Sequence, residues 1–385
     1  MMRNGVSVMA TAVLAIAAAA ARAEVNVGVT ISLTGPAASL GIPVQNIVKL
    51  FPTEVGGEKI RYTVLDDGSD PSSSARNFAR LVEKERVDVI MGSSVTPATL
   101  SLVPLAAQHK TPLLSLAASQ QIVQPQDETR RWVFKAIQNE SLMADATVDH
   151  MAGKKIKTLA FIGFADPYGD SWLNVLQYEA KKRGIELVST ERYVRNDPSV
   201  TAQVLRILSK KPDAVFIAGS GTPAALPQKT LIERGFKGVT YQTYGIANRD
   251  FLKLAGSDAQ GAVFAVGPVV VASQLDDANP IKRVAMEATR QYETAYGPGT
   301  MAVFAANAWD SNMLLTEALK AALKKEKPGT EAFRIALRDA LESVKDLVTT
   351  QGVLTMSKPD HSGYDKRAVA MVEIRDGNWR YLSSK

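Results

Sequence analysis

The sequence predicts an α/β protein made of two doubly wound lobes with mainly parallel sheets. Two observations predict this. Short apolar runs bounded by turn residues alternate with stretches of helical periodicity, the pattern of strands joined by crossover helices. The chain has 385 residues, and the part that follows an N-terminal leader, about 360 residues, is too long for one ordinary core.

The leader comes first. Residues 1–23 hold Arg3, an apolar run over 6–21 and the triplet Ala21-Arg22-Ala23, which together read as charged region, apolar region and cleavage site of a signal peptide. A retained membrane anchor is the alternative, but the run is alanine-rich and short of the roughly 20 residues that span a bilayer. The expected product is an exported soluble protein that starts at Glu24. The absence of cysteine is compatible with export, since exported proteins need not use disulfides.

The elements then follow in order. A buried strand over 25–31 runs into Gly35-Pro36, a turn signal that no strand interior accepts. Further strands are expected over 60–65, 87–91, 112–116, 156–163, 185–190, 213–218 and 261–267. After the second strand, Asp70 is placed to cap a helix, Pro71 suits its first turn, and Ala75, Phe78, Ala79 and Val82 share one face. Late in the chain, Leu315, Ala318, Leu319 and Ala322 repeat that spacing, as do Phe333, Leu337, Ala340, Leu341 and Val344. The first helix is read from Ile42, with Pro52 where a longer helix would continue. No low-complexity linker separates two halves, which suggests several chain crossings between the lobes.

Charge and residue types exclude most chemistry. Without Arg3 and Arg22 of the leader, 43 basic and 39 acidic side chains remain, a formal +4, and the lysines form no stripe interleaved with aromatics. Nucleic acid is therefore not an expected partner. The histidines are three and scattered (His109, His150, His361), and no H-E-x-x-H, G-x-S-x-G or Walker pattern occurs. No catalytic residue, metal site or cofactor is expected. His150 reads as a helix residue, His361 as part of a polar turn, and Asp66-Asp67 as turn and capping residues.

Two segments suit a ligand instead. In "VDVIMGSSVTPATLSLVPLA" a strand ends at Gly92, a polar loop follows, and Thr96-Pro97 opens a helix. Unpaired amides and the positive dipole end there would attract a small carboxylate, with Ser94 and Thr96 as further donors; the alternative is that Thr96 only caps its own helix. In "PLLSLAASQQIV", Ala117, Ala118 and Ser119 follow the next strand and leave backbone groups accessible, with simple capping by Ser119 as the alternative.

With "SLTGPAASLG", "DDGSDPSSSARNFARLVEKERVDVIMGSSVTPAT", "TPLLSLAAS", "FADPYGDSW" and "YQTYGIANRDFL" in this order, the chain resembles the periplasmic solute-binding proteins of ABC transporters, of the leucine/isoleucine/valine-binding type, over essentially its mature length. The resemblance implies a three-strand hinge and a ligand cleft between lobes formed by 24–138 with 269–347 and by 139–268 with 348–385. It implies a periplasmic monomer that delivers its solute to an inner-membrane permease. It also carries roles onto residues: Thr96 and Ser119 as donors to a carboxylate, Leu40 near the mouth, Ser94, Ala117 and Ala118 on the same wall, and Tyr168, Ser220 and Tyr244 from the second lobe. Where relatives present an acid to the ligand's ammonium, Tyr244 stands here. A small organic carboxylate without an amino group, aromatic for instance, is thus the expected ligand, and a branched-chain amino acid is the alternative. The ligand-sensing half of a regulator and an exported enzyme are the other readings.

Overall fold

The computed structural model describes residues 24–382, so the leader read in residues 1–23 lies outside the described part. The first sheet contains β1 (Val25–Ile31), β2 (Glu54–Val55), β3 (Glu58–Asp66), β4 (Val89–Gly92), β5 (Leu113–Ser115) and β6 (Val133–Lys135), in the order β2-β3-β1-β4-β5-β6. All neighbours are parallel except β2 with β3. The second sheet contains β7 (Thr158–Phe164), β8 (Glu186–Tyr193), β9 (Ala214–Ala218), β10 (Val239–Gln242) and β11 (Val263–Val266), and a small antiparallel pair, β12 (Leu347–Val348) and β13 (Val353–Leu354), stands apart from both sheets. The antiparallel strands β14 (Ala370–Arg375) and β15 (Asn378–Tyr381) complete the second sheet in the order β15-β14-β11-β10-β9-β7-β8.

Eleven α-helices accompany these sheets among the described residues: α1 (Ala38–Val48), α2 (Pro71–Glu83), α3 (Thr96–Gln108), α4 (Glu140–Gly153), α5 (Pro167–Lys182), α6 (Thr201–Ser209), α7 (Ala225–Glu233), α8 (Arg249–Ala255), α9 (Pro280–Tyr296), α10 (Val303–Ala322) and α11 (Glu331–Leu341). Helix α2 shows how local sequence makes them. Asp70 caps it by accepting from the Ser73 amide at 2.7 Å, Pro71 opens it, and Phe78 and Leu81 are fully buried. Each such side chain contributes about 2 kcal/mol of apolar burial. The buried row is Ser74, Phe78 and Leu81; Ala75, Ala79 and Val82 flank it half-buried. Helix α1 differs from expectation, because it starts at Ala38, includes Pro43 and ends at Val48, before Pro52.

Each sheet reverses its strand order once, and these reversals position the site. Strand β1 lies between β3 and β4, and β7 lies between β8 and β9, so the connections leaving the two sides of each strand diverge and open a crevice at its C-terminal end. In the first sheet Ile31 pairs with Asp66, and Thr30 with Gly92, which brings three strand ends level at that edge.

Three segments of the chain, around Gln138, Gly267 and Gln351, lie side by side. Gln138 Nε2 donates to Ala368 O at 3.0 Å and to Gln351 O at 3.5 Å. A Cβ on Gly267 would fall 2.3 Å from Gln351 Oε1 and 2.9 Å from Gln138 Nε2, so a larger residue there would displace these two glutamine side chains. Asp310 of α10 secures the last of them, accepting from Thr350 N (2.9 Å), Thr350 Oγ1 (2.7 Å), Gln351 N (3.1 Å) and Tyr364 OH (2.8 Å).

Candidate functional site

The first-lobe wall is built on the ends of β1, β4 and β5. Asp66 ties down the loop after β1: its Oδ1 accepts from the amides of Leu33 (2.9 Å), Thr34 (3.2 Å) and Gly68 (2.8 Å), and its Oδ2 accepts from the Thr34 hydroxyl (2.7 Å). Asp67 accepts from Ser32 Oγ at 2.8 Å and from Ser93 Oγ. The two acids thus serve the turns, and the loop delivers Leu40, on the first turn of α1, to the cleft.

At the end of β4, Gly92 has φ +142°, and a Cβ there would lie 2.1 Å from Thr30 O, so a side chain would force the strands apart. Val95, in extended conformation, is the N-cap of α3, and Thr96 is its first residue, which removes the alternative that Thr96 only caps its own helix. Thr99 supplies the local bond, its Oγ1 accepting from the Ser93 amide at 3.0 Å. The Thr96 hydroxyl is consequently left buried, with no partner among the described residues, on the wall of the cavity. Such a group is costly unless something enters to bond it. Ser94 stands beside it, its Oγ accepting from the Ser32 amide at 3.2 Å.

Beyond β5, Leu116, Ala117 and Ala118 line the same wall. Ser119 does not. It is fully buried beside the cavity and its Oγ accepts from the Gln121 amide at 3.3 Å, capping a short turn as the plainer reading of this residue has it.

The second-lobe wall gathers around α5. Asp166 caps this helix, its Oδ1 accepting from the amides of Tyr168 (2.9 Å) and Gly169 (3.1 Å). Tyr168 is 5% exposed and donates from its phenol to Thr243 Oγ1 at 2.8 Å, and Thr243 donates in turn to Gly219 O at 2.6 Å. Tyr244 is buried, its ring centroid 6.0 Å from that of Trp172. Burial raises both phenols well above their usual range, so both remain neutral hydroxyls. Ser220, in the loop after β9, accepts from Arg195 Nη1 at 3.1 Å.

Eight of the nine residues singled out from the sequence therefore bound one cavity, at the facing crevices of the two sheets. Arg195, Phe304 and Asn307 bound it too, and sequence reading missed them. Arg195 had a signal, an arginine just past the C-terminal end of β8, on the ligand side of the sheet. Phe304 and Asn307 come from the start of α10, nearly two hundred residues after α3, and had none. The cavity measures only about 30 Å³, and Thr222 N reaches Ser39 Oγ at 3.4 Å across the cleft, so the lobes are closed upon each other. Two of the three histidines have structural partners: His150 Nδ1 bonds Tyr241 OH at 3.0 Å, and His361, buried and not in an exposed polar turn, stacks on Phe134 and bonds Val133 O at 2.8 Å.

Two α/β lobes closing on a polar-ended, aromatic-walled cavity define a solute-binding protein. The chain belongs to the periplasmic binding protein family, whose model matches residues 24–378. Among solved structures it is similar to an extracellular ligand-binding receptor from Rhodopseudomonas palustris HaA2, at 45% identity over 94% of this chain and 100% of that one, with a TM-score of 0.91. It is 23% identical to a Leu/Ile/Val-binding protein homolog of Brucella melitensis, over 85% of each chain. At 20% identity it shares its fold with an ABC-transporter solute-binding protein from R. palustris in complex with benzoate, with a TM-score of 0.81 over 93% of this chain and 95% of that one. Among the described residues no helix is long and apolar enough to cross a membrane.

Proposed function

We propose that this chain is the exported, periplasmic solute-binding component of an ABC importer, and that it captures a small organic carboxylate without an α-amino group, aromatic acids foremost. One observation carries the reading: the only charged side chain on the cavity wall is Arg195, a cation, and no carboxylate lines it among the described residues. Asp166, the acid best placed to turn inward, is bound to Arg195 and to two helix amides. An ammonium enclosed there without a counter-ion would cost several kcal/mol, whereas a carboxylate meets the Thr96 hydroxyl and the start of α3. Tyr168, Tyr244 and Phe304 offer faces to a planar ring. The benzoate complex of a protein with the same fold supports the ligand class, and family membership supports the transport role and a permease partner.

A branched-chain amino acid is the second reading, and Glu140 favours it. This buried carboxylate keeps Oε1 without a partner among the described residues, and its charge is close enough to act on Tyr168 and Tyr244. A thermal-shift screen of leucine, valine, benzoates, phenylpropenoates and aliphatic keto acids, followed by calorimetry, separates the two. Binding of aromatic acids with leucine silent is the expected result. Tight binding of leucine or valine with the desamino acids silent refutes it, and loss of that binding in Glu140→Gln would then assign the ammonium to Glu140.

A further inference from the structure

Arg195 follows β8 in the segment "YVRNDP" and is held on three sides. Its Nε and Nη2 donate to Asp166 Oδ2 at 3.2 and 3.1 Å, and its Nη1 donates to Ser220 Oγ at 3.1 Å. Its guanidinium carbon lies 3.9 Å from the centre of the Phe164 ring. The side chain is 13% exposed. Asp166 is itself fixed at the start of α5, so the guanidinium is oriented by a rigid element and not by a mobile loop.

Two hollows meet at this residue. One is the enclosed cavity, and the other is an open groove of about 480 Å³ at the mouth of the cleft, bounded by Gly35, Pro36 and Ser39 of one lobe and by Asn196, Thr222 and Pro223 of the other. Among the described residues Arg195 is the only one that borders both, so it forms the partition between interior and mouth. Asp166 balances its charge. The second hydrogens of Nη1 and Nη2 nevertheless have no protein acceptor among the described residues, and a guanidinium offers its donors in a planar fork suited to oxygen.

The cavity therefore offers an unfilled donor on each lobe: the Thr96 hydroxyl, buried and unpartnered, and the Arg195 fork. A ligand with one carboxylate and an otherwise apolar ring satisfies only the first. We propose that Arg195 determines selectivity by bonding a second oxygen function at the end of the ligand remote from the carboxylate, so that ring-hydroxylated or dicarboxylic aromatic acids are preferred to unsubstituted ones. The inference rests on the carboxylate reading given above, and it specifies the ligand's other end.

Calorimetry of the mature chain with benzoate, 4-hydroxybenzoate and benzene-1,4-dicarboxylate tests it. At least one of the two substituted acids is expected to bind about tenfold more tightly than benzoate, as one charge-assisted hydrogen bond allows. In Arg195→Met that preference falls to about twofold or less, because the substituted acids lose more affinity than benzoate does, and Arg195→Lys, which keeps the charge without the fork, retains an intermediate preference. Melting temperatures of both Arg195 variants check that they fold, and Arg195→Lys carries the test if Arg195→Met folds poorly. An unchanged preference in Arg195→Met, an equal loss for all three acids, or equal affinities in the unmodified protein overturns the inference alone. Silence of all three acids on the unmodified protein overturns the carboxylate reading, and the inference with it.

Discussion

Thr96 and Ser119 carry the same kind of hydroxyl, and their neighbours give the two hydroxyls different work. Thr99 bonds the Ser93 amide, which frees the Thr96 hydroxyl to face the cavity, whereas the Ser119 hydroxyl is occupied by the Gln121 amide. Thr96→Val is expected to weaken binding of an acid ligand by about 1–3 kcal/mol, the range for a charged acceptor deprived of a donor, and to leave the melting temperature nearly unchanged. Ser119→Ala is expected to show the reverse, a loss of about 0.5–2 kcal/mol in stability from the missing cap with a smaller effect on affinity. Calorimetry and thermal unfolding of both variants distinguish the roles, and a larger binding loss in Ser119→Ala would return the carboxylate to the β5 loop.

At the level of elements, the first crossing between lobes contains two buried ionisable groups. Lys135 at the end of β6 donates to Ala118 O at 2.5 Å, behind the cavity wall, and Glu140 at the start of α4 accepts from Ser171 Oγ of α5 and from the Gln120 amide at 3.3 Å. One carboxylate therefore joins a first-lobe loop to a second-lobe helix. Burial raises Glu140 from the usual 4.5 to about 7, against the pull of Ser171 and Lys135, and burial lowers Lys135 to about 8. Between those two Glu140 values the unfolded chain has released a proton that the folded chain keeps. This contribution to stability is complete below pH 4.5 and is lost as the pH rises through 7. Glu140→Gln is expected to flatten the decline in melting temperature from about pH 5 to about pH 7. Asp310, raised to about 6 by burial, preserves part of the slope. An unaltered profile in the variant would place Glu140's ionisation outside that window.

At the scale of the whole molecule, Gly221 lies where the two lobes meet. It has φ +63° and ψ −156°, a conformation reserved for glycine, and a Cβ there would come within 2.6 Å of both Leu40 Cδ1 and Ser39 Oγ on the other lobe. Gly221→Ala carries a backbone penalty of about 1–3 kcal/mol and adds a wedge between lobes. Small-angle scattering of the unmodified protein is expected to show compaction when ligand is added, and the variant is expected to compact less and to bind more weakly. Full compaction in Gly221→Ala would mean that closure stops short of this contact in solution.

Periodicity and punctuation in the sequence were enough for the α/β class, for most parallel strands, for the cap at Asp70 and for the loops that face the cleft, because each depends on a few adjacent residues. Strands β6 and β10 and the hairpin of β14 and β15 escaped, since no turn-bounded apolar run marks them and they acquire their structure from the sheet they join. The resemblance of ordered motifs pointed to eight residues that now surround one cavity. Only the tertiary structure decided which hydroxyl is free, because capping is settled by competition among neighbours such as Thr96 and Thr99. It alone brought Arg195, Phe304 and Asn307 together and tied Asp166 to Arg195, for a cleft between two sheets is made by residues far apart in the chain, and no local pattern records their meeting.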